Sequence, residues 1–409
     1  MTRALRTARA GAILTFVLAG LMCGTFTVRL PALAGRLHLS ESSVGLALLS
    51  WGLGALVTMQ LMRVVMARAG SGGVLRIGAP LCAASLVLLA FVPSFPALVA
   101  ASALFGMAFG AVDVAMNAQG SVVERAYGRP IMSGMHAGWC VGAISAGLAG
   151  TAAIAAGLPF TVHLLLVAAV SLPVSLVLSR TYLPDPAAET AGPSGTRDGR
   201  RRLPGVVYLL GAITFAAFMV EGVVADWNGL YLIGTLGAPE AVAALGYPVF
   251  EAGMLVARLG GDRLRGRFGA RALIVSSGAA TAATYLAVIA APSAFAAVAA
   301  MFLIGLSVAT ISPMAMSLAG TATATPGPAI AQAGAMGYAG LLLGPVVIGF
   351  VSTLTSLRSA MVTAVVLGVL IAVAARFLPA SRTLPFRRVP GGLDGRTAED
   401  GDEPLPRAA

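Results

Sequence analysis

The sequence predicts an all-α membrane protein, with twelve transmembrane helices in two parallel, pseudo-symmetric six-helix bundles. Three observations lead there. Apolar residues make up 58% of the 409 residues and charged residues 11%. A soluble domain is about 45–50% apolar even with glycine counted, and about 25% charged. The apolar residues fall in runs of bilayer length, and the first half of the chain matches the second at one fixed offset.

Composition excludes several classes. Disorder needs low hydrophobicity and high charge, the reverse of what is seen. The net charge of +11 comes from arginine alone, since the chain has no lysine. A basic balance can mean nucleic-acid binding, but here the arginines follow the loops, as shown below. Cys23, Cys82 and Cys140 each lie inside an apolar run and lack zinc-ligand spacing. They read as small packing residues, with no disulfide framework and no metal site. Arg3, Arg6 and Arg9 precede an apolar run from Ala10, as in a signal peptide. Many further runs follow, so this one is expected to be a first membrane helix.

A helix needs about 20 mostly apolar residues to cross the bilayer core. Twelve runs qualify: 10–33, 43–65, 73–94, 97–121, 131–156, 159–179, 206–233, 240–261, 271–291, 294–319, 330–353 and 357–378. None alternates with period two, as β-barrel strands would. With an even number of spans, both termini lie on one side. Counting arginines loop by loop puts 24 on that side and leaves Arg29, Arg36 and Arg358 on the other. Positive residues stay inside, so both termini are expected in the cytoplasm. Residues 1–180 form an N-terminal bundle and 206–379 a C-terminal bundle. Residues 181–205, rich in Pro, Gly and Arg, form a cytoplasmic linker, and 380–409 a mobile cytoplasmic tail.

The repeat appears at an offset of 199 residues. Gly54-x-Leu56-Val57 falls on Gly253-x-Leu255-Val256, and Arg68-x-Gly70 on Arg267-x-Gly269. Pro93-Ser94 falls on Pro292-Ser293, Gly106 on Gly305, and Gly138-Trp139 on Gly337-Tyr338. An even number of helices per half gives both halves the same orientation. Such parallel repeats are known among transporters.

Buried charge is the clue to a site, because charged groups in a bilayer normally face a bundle interior or a wet cavity. The third, sixth, ninth and twelfth spans carry no acid or base in their cores apart from His163, so they are expected to face lipid. The fourth span places Gly106, Gly110, Asp113 and Asn117 at i, i+4, i+7 and i+11, on one face. Asp113 reads either as a structural carboxylate or as one that loads and releases a proton. His136 and Trp139 in the fifth span lie at similar depth, so Asp113, Asn117, His136 and Trp139 are expected to form one cluster. His136 reads as a proton-coupling partner or a packing histidine, and Trp139 as a substrate platform or packing. Glu221 and Asn228 share a face of the seventh span, and Glu251 lies mid-way along the eighth. Glu221 is a second proton-coupling candidate. Asn228, Glu251 and Tyr338, the repeat partner of Trp139, are substrate-binding candidates. Arg29 and Asp226 could pair to close the outer mouth. Pro313 predicts a kink in the tenth span.

These residues are where the chain resembles a known family, the major facilitator superfamily of secondary transporters. The resemblance covers all but the tail. The superfamily's loop signature, G-x-x-x-D-R-x-G-R-R in outline, is similar to RVVMARAGSG at 63–72 and GDRLRGRFGAR at 261–271. It implies gating roles for Arg68, Asp262 and Arg267, with Ala67 at the acidic position of the first loop. VRLPALAGRLHLSESSVGLALL, DVAMNAQG and RPIMSGMHAGW resemble a bacterial subgroup related to fucose permeases. That likeness implies Asp113 as the proton-coupling carboxylate and Asn117 as a substrate contact. The subgroup's carboxylate in the first span is absent here, Glu41 lying in the loop that follows. The expectation is therefore a proton-coupled transporter of a small solute, sugar-like if the subgroup is the guide. It would work in a bacterial inner membrane as a monomer, with the proton gradient as its energy source and no cofactor or nucleic acid as partner. Proton-driven efflux of a hydrophobic drug or metabolite stays open, as does a non-transporting membrane sensor. No Ser/His/Asp order, zinc motif or phosphate loop supports an enzyme.

Overall fold

Backbone in hydrocarbon must satisfy its own N–H and C=O groups, and a helix does so within one segment. The computed structural model describes residues 2–128, 131–185, 203–323 and 326–379, and they are helical nearly throughout. Twelve helices among them are long and apolar enough to cross a membrane. They are α1 (Arg3–Arg36); α2 and α3, which share the helical stretch Glu41–Ala90 and turn at Gly70; α4 (Phe95–Tyr127); α5 (Met132–Ala155); and α6 (Phe160–Leu178). The second set is α7 (Gly205–Gly234), α8 (Glu240–Ala243 continued by Gly246–Phe268), α9 (Ala270–Ile289), α10 (Ala294–Val308 continued by Ile311–Thr321), α11 (Pro326–Leu354) and α12 (Leu357–Ala360 continued by Val362–Ala375). Most of the expected linker, from 186 to 202, and the expected tail from 380 lie outside the described residues.

Several helices outrun their apolar runs. α1 begins at Arg3, where the Thr2 hydroxyl accepts the Leu5 N–H at 3.3 Å. α4 continues to Tyr127 and α8 to Phe268. Hydropathy marks only the part of a helix that hydrocarbon surrounds, and polar turns beyond it continue unmarked. α10 breaks at Ala309–Thr310, four and three residues before Pro313. A proline ring displaces the carbonyl four residues back, so the expected kink falls there.

The first six helices pack on one another, with α1 on α5, α4 on α2 and α3, and α6 on the α2–α3 stretch. In the second set α7 lies on α11, α8 on α10, and α9 on α12. The sets meet where α2 packs on α11 and α5 on α8. α3, α6, α9 and α12 turn bare apolar side chains outward, for example Ile77, Val170, Leu286 and Val366, as helices against lipid should.

The repeat is also visible in the backbone. Gly70 has φ 69° and ψ 166°, and Gly269, its partner at the 199 offset, has φ 79° and ψ 156°. Only glycine readily takes that conformation. Gly54 and Gly106 press reciprocally on the carbonyls of Ala103 and Trp51, where α2 crosses α4. Gly253 and Gly305 press on those of Phe302 and Phe250, where α8 crosses α10. All four pairs are related by the same 199 residues.

The chain after α6 is bound back onto the first bundle. Tyr182 is buried, its hydroxyl 3.1 Å from that of Thr15. The Gln119 amide of α4 donates to the Leu183 carbonyl at 3.2 Å and accepts the Leu183 N–H at 3.0 Å. The Asp185 carboxylate accepts both the N–H and the hydroxyl of Ser71, just past the Gly70 turn. It therefore caps the start of α3, where backbone N–H groups lack partners. Asp185→Ala should cost about 0.5–2 kcal/mol, as other cap removals do. We expect a melting temperature lower by a few degrees and faster proteolysis after Tyr182.

Candidate functional site

Where the two sets of helices meet, polar and charged side chains come together. The arrangement follows from α4. Gly110 lies flat on α2, where an added methyl would sit 2.6 Å from the Ala55 carbonyl. One and two turns on, Asp113 and Asn117 are half-buried. The Asn117 amide donates to the Asp113 backbone carbonyl at 2.8 Å and to Asp113 Oδ1 at 3.4 Å. Asp113 Oδ2 accepts the Tyr338 hydroxyl of α11 at 2.8 Å. The Tyr338 ring stands edge-on to Phe218 of α7, with centroids 5.9 Å apart. A carboxylate of the first set is thus hydrogen-bonded to a phenol of the second.

Of the four residues expected to cluster, Asp113 and Asn117 are hydrogen-bonded to each other. Trp139 packs on Phe109, one turn from Asp113, with centroids 5.7 Å apart, and Trp51 covers the other side of Phe109. The His136 ring meets Phe16 edge-on at 5.1 Å and lies within the field of Arg258, with no hydrogen bond to Asp113 or Asn117 among the described residues. His136 and Trp139 are three residues apart and so point about 60° apart around α5, with His136 against Phe16 of α1.

Arg258 is the main residue that sequence reasoning misplaces. The loop count assigns it to the arginine-rich face. α8 continues to Phe268, so Arg258 lies well inside the helix. Its Nη1 donates to the thiol of buried Cys140 on α5 at 3.1 Å, a second bond across the two sets. Glu221 and Glu251 lie within its electrostatic reach, and the Ser312 hydroxyl lies beside Glu221. Glu251 is 4% exposed, its carboxylate near the Tyr247 hydroxyl and the Cys140 thiol. Glu251 and Arg258 stand at i and i+7 on one face, the spacing that would have revealed the pair.

At the end expected to be the outer mouth, Arg29 has a different partner from the one expected. Arg29, 3% exposed, pairs with Glu240 at the start of α8 at 3.4 Å. Asp226, the expected partner, is half-buried on α7 and takes no part in that pair. Glu240 sits on the rim itself, in the first turn of its helix, and so meets an arginine reaching across from α1. Nearby, an added methyl would lie 2.7 Å from the Pro345 carbonyl at Gly45, and 2.7 Å from the Glu41 carbonyl at Gly349. The two sets are therefore pressed together at this rim. Asn228 is 1% exposed and lines a small pocket beneath the pair. Toward the opposite, arginine-rich end, His136 is exposed. Arg68 ends exposed near the Gly70 turn, and exposed Arg267 lies 5.4 Å from the Phe268 ring. The side chain of Asp262, on α8, lies outside the described residues.

Comparison with known proteins agrees with this architecture. Residues 12–327 match the Major Facilitator Superfamily. An uncharacterized transporter of Sinorhizobium fredii is 33% identical over 357 residues, covering 87% of this chain and 94% of that protein. An uncharacterized MFS-type transporter of Yersinia pestis is 31% identical, covering 89% and 94%. Among solved structures, a D-xylose-proton symporter superposes with a TM-score of 0.75 at 18% identity, covering 91% of this chain and 98% of that one. The nucleoside transporter NupG superposes with a TM-score of 0.70 at 15% identity, covering 92% and 98%. At those identities the likeness concerns the fold.

Proposed function

The chain belongs to the Major Facilitator Superfamily, and we propose that within it this transporter couples proton movement to that of a small solute by alternating access. The observation that carries the reading is the 2.8 Å bond from the Tyr338 hydroxyl to Asp113. A titratable group whose hydrogen bond joins the two halves can convert protonation into relative movement. A hydrogen bond to a charged acceptor is roughly twice as strong as a neutral one. Ionised Asp113 therefore holds α4 to α11 firmly, and protonated Asp113 holds them less. A ligand or proton shifts such an equilibrium only through its differential affinity for the two states, and this bond supplies one.

In this reading the halves at 1–180 and 206–379 move as units, with both termini in the cytoplasm of a bacterial inner membrane and the arginine-rich face inside. The protein works as a monomer, drawing on the proton gradient without a cofactor. Glu221, Glu251 and Arg258 form a second charged group where the halves meet, and His136 stands beside it. The sequence likeness to fucose permeases favours a sugar-like solute. The aromatic cluster of Trp51, Phe109 and Trp139 favours a second reading, export of a hydrophobic compound.

The test is a solute screen on proteoliposomes enclosing a pH-sensitive dye. At least one compound should move protons across the membrane in step with its own flux. Solute flux with no accompanying proton movement would remove the coupling. Solute binding with no flux would mark a sensor.

A further inference from the structure

The pocket beneath the Arg29–Glu240 pair holds an unusual group. Asn228 is 1% exposed, and neither its Nδ2 nor its Oδ1 has a hydrogen-bond partner among the described residues. The amide faces a space bounded by Thr27 of α1 and by Glu240 and Tyr247 of α8, so helices of both halves enclose it. The space has room for little more than a water molecule in this arrangement. Next along α7, Gly229 lets Pro31 of α1 approach, since an added methyl would sit 2.8 Å from its Cγ. The amide is thereby held against the seam between the halves.

A buried amide without partners bears the desolvation of each group uncompensated. A leucine of similar size would bear none of it. Such a residue persists where a partner arrives in another state of the molecule. Glu240, the charged residue of the pocket lining, is paired with Arg29, so the pocket offers hydrogen bonds and no free charge. An amide presents a donor and an acceptor side by side.

We propose that this pocket is an outer subsite for an uncharged group offering a paired donor and acceptor, such as neighbouring sugar hydroxyls or an amide edge, with Asn228 as the recognising residue. The inference rests on the transporter reading for its occasion: the site becomes accessible when the halves part at this rim and Arg29 separates from Glu240. Selectivity follows from the chemistry. A solute lacking the polar pair leaves Asn228 desolvated and unpaired, and is rejected.

The experiment compares wild type with Asn228→Leu and Asn228→Ala in detergent. It follows melting temperature and binding of D-xylose and uridine as uncharged probes, with glucuronate and glucosamine as charged ones. Asn228→Leu should melt several degrees higher than wild type without any solute. At least one uncharged probe should stabilise wild type, and both variants should bind it about tenfold more weakly or worse, a difference well within reach of one lost hydrogen-bonding pair. Stabilisation by xylose alone assigns a sugar hydroxyl pair, and by uridine alone a nucleobase edge. A leucine variant that melts lower, or probe binding untouched by both variants, overturns the proposal. So does stabilisation by charged probes only. These readouts require no transport, so a protein that binds but moves nothing would lose the proposed function and keep this subsite.

Discussion

Asp113→Asn is expected to uncouple the protein from pH. Asparagine keeps the size of the side chain and an oxygen that can accept the Tyr338 hydroxyl, which the native carboxylate does at 2.8 Å. It cannot change charge. A neutral bond contributes about 0.5–1.5 kcal/mol net and one to a charged group about 1.5–3. The difference, about 1 kcal/mol, is a several-fold shift between two conformations. In the native protein a fall in pH should therefore loosen the α4–α11 contact, and in the asparagine variant it should do nothing. Spin labels placed on α4 and α11 at the arginine-rich end would report this as a pH-dependent distance distribution that becomes fixed in the variant. Proton flux should disappear while solute exchange persists. Tyr338→Phe provides the complementary result: Asp113 still titrates, but its link to α11 is gone, so the conformational response should weaken to the same degree. A variant at 113 that retains the full pH response would remove Asp113 from the coupling role.

Gly106→Leu is expected to have the largest effect on folding. An added Cβ at this position would run into the Trp51 carbonyl, which belongs to the backbone of α2 and cannot rotate away. Forcing extra atoms into a packed interior typically costs about 1–3 kcal/mol, and more where nothing can yield. The helices would have to part, which would also displace Asp113 two turns further along α4. We expect little folded protein in the membrane and loss of any solute binding in what remains. Gly35→Ala is the control, because nothing lies within 4 Å of its added methyl, and a change of no more than about 0.5 kcal/mol is expected there. Gly305→Leu, against the Phe250 carbonyl, should reproduce the Gly106 phenotype in the second half.

The sequence reveals the helices because a bilayer imposes a length and an apolar composition on each. It reveals the duplication because glycine at 70 and 269 is required by a backbone conformation that other residues resist. What it conceals depends on how separate helices face each other. The periodicity of α4 puts Asp113 and Asn117 on one face, but the partnership with Tyr338 depends on the register between two bundles. Arg258 is hidden by its company: it stands just before Arg263, Arg265 and Arg267, which continue the same helix toward the arginine-rich end. Glu240 escapes notice because an acid at a span's start reads as an ordinary helix terminus. Asp185 and Gln119 act through backbone groups of a short connecting stretch, for which composition gives no sign.

The reciprocal glycine crossings between α2 and α4, and again between α8 and α10, have a mechanical consequence. With backbone lying directly on backbone, no layer of side chains remains to be compressed between them. Each couple then behaves as a stiff lever spanning the bilayer, so a displacement of α2 or α8 at one surface reaches the other undamped.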